Sequence, residues 1–214
     1  MKKALILTLG FDEKFCYRAI TRHKISEGDK IVLITATLVE KVRKAYEWIK
    51  AFVSASYSNV EVRLVELDVR DILGSLGKVS KILNEYKNYD LIINLSGGMR
   101  ILSFIVLFSI ILSDIRNLKL EIELEDFSGV IEIPTSLLSL PMIKASIGKE
   151  KLTILRLIKE GKNDVKSISN ALNKDESTVR RHLQTLHKLG LIEVEKKKPL
   201  IIKGTKLLNV IFIE

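Results

Sequence analysis

Two short stretches carry groups suited to holding an anion. They are Thr8-Leu9-Gly10-Phe11 and Asn94-Leu95-Ser96-Gly97-Gly98-Met99-Arg100. Each follows an apolar run that reads as a strand, and the second opens onto a helix. Paired glycines let a backbone approach a phosphate closely. The start of the following helix offers unpaired N–H groups and the positive end of its dipole, and Arg100 adds a charge-assisted donor. Asn94 and Ser96 supply side-chain hydrogen bonds, and Phe11 can stack on a base. The candidate ligand set is therefore Thr8, Leu9, Gly10, Phe11, Asn94, Ser96, Gly97, Gly98, Met99 and Arg100.

A second group lies near the C-terminus. Over 176–189 the apolar residues Val179, Leu183, Leu186 and Leu189 fall on one helical face. They leave Ser177, Thr178, Arg180, Arg181 and Gln184 on or near the other. Arg and Gln make bidentate contacts with guanine and adenine edges, and Ser and Thr suit phosphates or bases. Lys166 and Lys174 are placed to meet phosphates, and Lys196-Lys197-Lys198, ahead of Pro199, form a basic hairpin tip. Net charge is +9 at pH 7, and fifteen of the 35 Lys and Arg but only eight of the 26 Asp and Glu fall from Lys149 onward. About +7 of the charge thus sits in the last third, as expected of a nucleic-acid-binding tail.

Absences narrow the chemistry. No G-x-G-x-x-G follows the first strand, and Thr35-Ala36-Thr37 after the second offers no carboxylate for a ribose diol, which argues against nicotinamide. No G-K-[ST] occurs, so there is no P-loop. One cysteine, Cys16, excludes an intramolecular disulfide, and three scattered histidines (His23, His182, His187) make no metal site. Ile101–Leu112 is strongly apolar but too short for a span, which needs about 20 residues. With no signal peptide evident, the expectation is a soluble, cytoplasmic protein.

The elements that must position these residues follow from periodicity. Lys3–Leu9, Lys30–Thr35, Glu61–Val69 and Leu91–Leu95 read as strands. Leu38–Ala55, with Val42, Ala45, Trp48 and Ile49 inward, Ile72–Tyr86 and Met99–Leu112 read as helices. Leu120–Leu124 and Val130–Ile133 flank a turn signal at 126–129. Unalternated Val, Ile and Leu runs suit strands buried on both faces, and strands alternating with helices imply parallel crossovers. The expected fold class is α/β: a Rossmann-like, mainly parallel sheet with an edge hairpin over 1–134. A linker over 135–148 and a small winged helix-turn-helix over 149–214 follow. In the latter, helices over Glu150–Lys159, Val165–Leu172 and Glu176–Leu189 precede a hairpin, Leu191–Glu195 with Leu200–Lys203. Asp175 is the expected cap of the third helix.

The segment Ser177-Thr178-Val179-Arg180-Arg181-His182-Leu183, with Leu186 and Leu189-Gly190-Leu191-Ile192, resembles the winged helix-turn-helix of archaeal and bacterial regulators. Together with Leu9-Gly10-Phe11 after strand one and Asn94–Arg100 after strand four, the chain resembles the CRISPR-associated Rossmann fold (CARF) regulators of archaea. That resemblance implies a homodimer whose loops meet on the two-fold axis and a cyclic oligoadenylate ligand, most often the tetra-adenylate. It also implies a transcription regulator that binds double-stranded DNA. Two-fold symmetry suits both a cyclic ligand and a palindromic operator. A different class stays open: some relatives are metal-independent phosphodiesterases that cleave the cyclic ligand, with Thr8, Ser96 and Arg100 as the participants here. No histidine stands in either loop to serve as a general acid or base.

Overall fold

The longest Val, Ile and Leu runs become the middle of one sheet. In the computed structural model, which describes residues 1–115 and 117–212, six strands lie in the order β3-β2-β1-β4-β5-β6. They are β1 (Lys3–Thr8), β2 (Lys30–Thr35), β3 (Glu61–Glu66), β4 (Asp90–Asn94), β5 (Leu118–Glu123) and β6 (Val130–Ile133). The first five run parallel, and β6 returns antiparallel to β5. β1, β2 and β4 are buried along nearly their whole length, as unalternated apolar strands must be. The edge strand β3 alternates instead.

Helices α1 (Lys14–Arg22) and α2 (Glu40–Ser56) cover one face, where Cys16, Ala19 and Ile20 pack with Val42, Ala45, Ile49 and Val53 over β1 and β2. Helices α3 (Ile72–Glu85) and α4 (Arg100–Leu112) pack together. Right-handed crossovers carry them over the other face. α1 was not expected from sequence, although Cys16, Ala19 and Ile20 have the i, i+3, i+4 spacing that marks it. Trp48 does not face inward as expected but is 64% exposed. The buried row is Val42, Ala45, Ile49 and Val53, and at 100° per residue position 48 lies well outside it.

The chain divides after Thr135 into two units. The second contains α5 (Thr135–Leu138), α6 (Leu140–Ser146), α7 (Lys149–Lys159), α8 (Val165–Leu172), α9 (Glu176–Lys188), β7 (Ile192–Lys196), β8 (Ile201–Gly204) and α10 (Lys206–Ile211). Residues 135–148 are therefore mostly two short helices, α5 and α6, rather than an open linker. Leu140, Ile143 and Ile147 join Ile154, Leu155, Ile168, Val179, Leu183 and Leu186 in one core. Pro141 does not interrupt α6: it occupies the first turn, where a missing N–H costs nothing. The hairpin strands sit one residue later than expected, and α10 was not foreseen. Residues 213 and 214, the end of the expected DNA-binding domain, lie outside the described residues. Among the described residues no helix is long and apolar enough to cross a membrane.

Trp48 is the only tryptophan. Native fluorescence should peak close to the position of a solvated indole and move little on unfolding in urea. A strongly blue-shifted native spectrum would contradict the outward placement.

Candidate functional site

The strand order reverses between β1 and β4, whose C-terminal ends therefore feed loops to opposite faces of the sheet. A crevice at such a switch point is where open α/β sheets hold ligands. Here the two loops press backbone on backbone. A Cβ on Gly10 would stand 2.7 Å from the Gly98 Cα. One on Gly97 would collide with the Thr8 carbonyl oxygen, and Gly98 has φ +78°. Glycine at 97 is thus required first by the packing of one loop on the other. Above this contact lies an open hollow of about 530 Å³ lined by Gly10, Phe11, Asp12, Lys14, Phe15, Ser96, Gly97, Gly98, Met99, Glu125 and Phe127. Small-molecule sites fall at about 300–1,000 Å³.

Of the ten residues singled out in the sequence, Gly10, Phe11, Ser96, Gly97, Gly98 and Met99 line this hollow. Thr8, Leu9 and Asn94 do not. They are 1%, 1% and 2% exposed. Thr8 Oγ1 donates to the Asn94 carbonyl at 3.5 Å, and its own carbonyl accepts from the Cys16 thiol at 3.8 Å. Thr8 therefore stands away from any chemistry in the hollow. Burial pushes the Cys16 thiol up to about 12, helped by Glu13 and Asp12, so it stays protonated. Arg100 is exposed at the first position of α4, next to the lining, and makes no ion pair among the described residues. Met99, at the N-cap, gives the first turn no side-chain hydrogen bond.

Asn94 shapes the loop instead of touching a ligand. Its Oδ1 accepts from the Ser96 N–H at 3.0 Å, and its Nδ2 donates to Glu121 Oε1 at 3.0 Å. Glu121 and Glu123 are fully buried on β5, facing α1, while Ile122 between them is 37% exposed. Buried carboxylates need partners, and α1 provides them. Arg22 donates to Glu121 at 2.8 Å and to Glu123 at 3.1 Å, His23 Nε2 lies 3.0 Å from Glu121, and Arg18 pairs with Glu123. The Glu123 N–H donates to Ser96 Oγ at 2.7 Å. Burial pushes the Glu121 carboxyl up, but hydrogen bonds from His23, Arg22 and Asn94 outweigh it and hold it down at about 2. Composition gave no hint of this cluster, because its members stand 98–105 residues apart in sequence.

In the second unit, α8 ends at Asn173 in the left-handed conformation and α9 begins after Asp175, the turn geometry of a helix-turn-helix. Asp175 holds the N-cap position but makes no side-chain cap hydrogen bond. With Val179, Leu183 and Leu186 inward, the outermost row of α9 is Ser177, Arg181, Gln184 and Lys188, all exposed. Lys188 was missed in the sequence, although the i, i+4, i+7, i+11 spacing places it in that row. Arg180 sits nearer the hairpin, in a groove with Leu183, His187 and Val194, and pairs with Glu176 at 3.5 Å. Thr178 lies on the opposite flank of the row and is partly buried. Lys166 is exposed on α8, while Lys174 is held by Glu150 at 3.2 Å. Lys196 ends β7, and Lys197 and Lys198 form the exposed turn before β8.

Fold and site together define a Rossmann-like domain with a crevice at its switch point, followed by a winged helix-turn-helix. Residues 3–134 match the Csa3 CRISPR-associated Rossmann-like domain, and residues 148–194 match the bacterial regulatory protein, arsR family. The chain belongs to the family of the Csa3 CRISPR-associated Rossmann-like domain. Among solved structures, Enterococcus italicus Csm6 bound to cyclic hexa-2'-fluoro-hexa-dAMP is similar, with a TM-score of 0.50 at 12% identity over 89% of this chain and 53% of that one. The chain thus spans about half the length of this relative, and the likeness concerns the fold. No curated protein matches the chain.

Two stability measurements test the site's construction. Gly97→Ala should cost about 1–3 kcal/mol in urea unfolding, because backbone must move to admit the methyl group. Glu121, folded at about 2 against an ordinary 4.5, contributes stability that is present above pH 4.5 and lost as pH falls toward 2. Glu121→Gln should lose about 3–5 kcal/mol at pH 7 and flatten the decline of stability between pH 4.5 and 2. An unchanged slope would remove Glu121 from the account.

Proposed function

We propose that this chain is a ligand-responsive, DNA-binding transcription regulator of CRISPR-associated genes that senses a cyclic oligoadenylate, with cyclic tetra-adenylate the expected ring, as a homodimer. The observation that carries the reading is the joined pair of loops at the switch point: a hollow floored by Gly97-Gly98, with the open first turn of α4 and Arg100 beside it. A phosphate meets backbone N–H groups and a dipole end there, and Arg100 adds a charge-assisted contact.

The homodimer is supported by the outer face of α4. Phe104, Phe108 and Leu112 are 56%, 54% and 71% exposed and stand four residues apart along one stripe of the helix, and exposed apolar patches mark interaction sites. A second copy laid on this face would bring two glycine turns together around one cyclic ligand. In the second unit, α9 enters the major groove with Ser177, Arg181, Gln184 and Lys188 toward it, and the Lys196–Lys198 tip meets phosphate. Ligand binding then shifts DNA affinity by the difference in its affinity for the two states, typically about 1–3 kcal/mol.

Calorimetric titration with cyclic tetra-adenylate should show one ring per two chains and about 10- to 100-fold weaker binding by Arg100→Ala, the worth of a hydrogen bond to a charged group. Phe108→Glu should give monomers in sedimentation and lose the ring. A monomeric wild type with no affinity for the ring would overturn the reading. On DNA, Arg181→Ala should cost about 1–3 kcal/mol on the cognate duplex only. Lys198→Ala should weaken all duplexes alike and lower the salt slope by about one, as read by fluorescence anisotropy.

A further inference from the structure

The hollow has an aromatic wall that the loops singled out in the sequence do not supply. Between β5 and β6 the turn at 124–129 is tied by Leu124 N–H to the Gly129 carbonyl and Phe127 N–H to the Leu124 carbonyl, each at 2.9 Å. The Ser128 N–H and hydroxyl add bonds of 3.0 and 2.7 Å to Asp126 Oδ1. Phe127 sits at its tip with φ +58°, a backbone conformation that bulky side chains rarely adopt. This turn therefore presents a phenyl ring where Gly or Asn is the ordinary occupant. Strained positions of this kind cluster at ligand sites.

The ring leans on α1 and is only partly buried. Its centroid stands 5.2 Å from that of Phe15, tilted by 42°. The Arg18 guanidinium lies 5.0 Å from the ring centroid, and Arg18 Nη2 donates to the Phe127 carbonyl at 3.4 Å. Neither Phe15 nor Phe127 belongs to the apolar cluster under α1 and α2. Both are partly exposed, and both line the hollow with Gly97 and Gly98. Arg18 is itself anchored by buried Glu123, whose N–H holds Ser96. One residue of β5 thus braces both the glycine turn and the aromatic wall, fixing their separation.

We infer that Phe127, backed by Phe15 and Arg18, is the platform on which a purine base of the bound nucleotide stacks, so that it acts as a specificity-determining residue. The inference rests on the functional reading above and deepens it. The glycine turn addresses phosphate, which every nucleotide carries. A flat aromatic surface beside it rewards the larger π-face of a purine, and the adjacent guanidinium strengthens such a stack. Phe11, the stacking candidate from sequence, is 66% exposed, with the Lys41 ammonium 5.6 Å from its ring centroid.

The test uses the full chain and a cyclic tetra-adenylate in which one adenine is replaced by 2-aminopurine, whose fluorescence is quenched on stacking. Wild type should quench it at saturation. Phe127→Leu should bind about 5- to 150-fold more weakly, the worth of one base–aromatic stack, and leave the bound probe bright. Phe127→Trp should restore both affinity and quenching, which a merely structural role would not require. Wild-type affinity and quenching in Phe127→Leu would overturn the platform. So would full probe brightness in the saturated wild type, a readout that does not depend on the variant folding. Failure of the wild type to bind any ring would instead overturn the functional reading, and the platform with it.

Discussion

Two carboxylates inside a sheet must be neutralised where they stand, and much of the first unit's geometry is the result. Glu121 and Glu123 face α1 from alternate positions of β5 and draw Arg18, Arg22 and His23 onto them. That cluster fixes α1 against β5. Through Asn94 and Ser96 it also fixes the exit of β4, and through Arg18 the tip of the β5–β6 hairpin. Such clusters contribute little net stability, since desolvation offsets most of the Coulombic gain. Their effect is on geometry, and it carries a cost: Glu121 Oε2 and Arg22 Nε are buried without hydrogen bonds among the described residues, and each such group costs about 1–3 kcal/mol.

The remainder of the crevice is a matter of close approach. Gly10, Gly97 and Gly98 let the β1 and β4 exits touch directly, which sets the floor of the hollow. If the hollow holds a nucleotide as proposed, a floor made from backbone addresses charge without selecting a base, and selection falls to side chains on the rim. The rim is drawn from three separate parts of the chain: the β1 exit, the start of α1 and the hairpin tip.

Much of this was legible in the sequence. Unbroken Val, Ile and Leu runs gave the buried parallel strands, and Ser-Gly-Gly before an apolar helix marked the crevice. The 3.6-residue stripe of Val179, Leu183 and Leu186 gave the groove-facing helix. What escaped detection depended on tertiary partners. On β5 the alternation Leu-Glu-Ile-Glu reads as carboxylates outward, but Arg18 and Arg22 of α1, with His23 just after it, provide partners inside, because a paired charge can be buried where an unpaired one cannot. Asn94 looked like a ligand contact because its type suits one, and only its two internal hydrogen bonds reveal the other role. Phe127 was hidden because a turn signal predicts the shape of a hairpin and not the target of the residue at its tip. The 135–148 segment read as a linker, because Leu140, Ile143 and Ile147 are too short a series to announce a packed helix.

The outer row of α9 sets how much sequence one such helix can inspect. From Ser177 to Lys188 the helix rises about 16 Å at 1.5 Å per residue, while stacked base pairs advance about 3.4 Å each. A single helix lying along the groove therefore reaches four or five consecutive pairs and no more. In the proposed homodimer a longer recognition element would be assembled from two such readings, with its uninspected centre chosen by how easily the duplex bends.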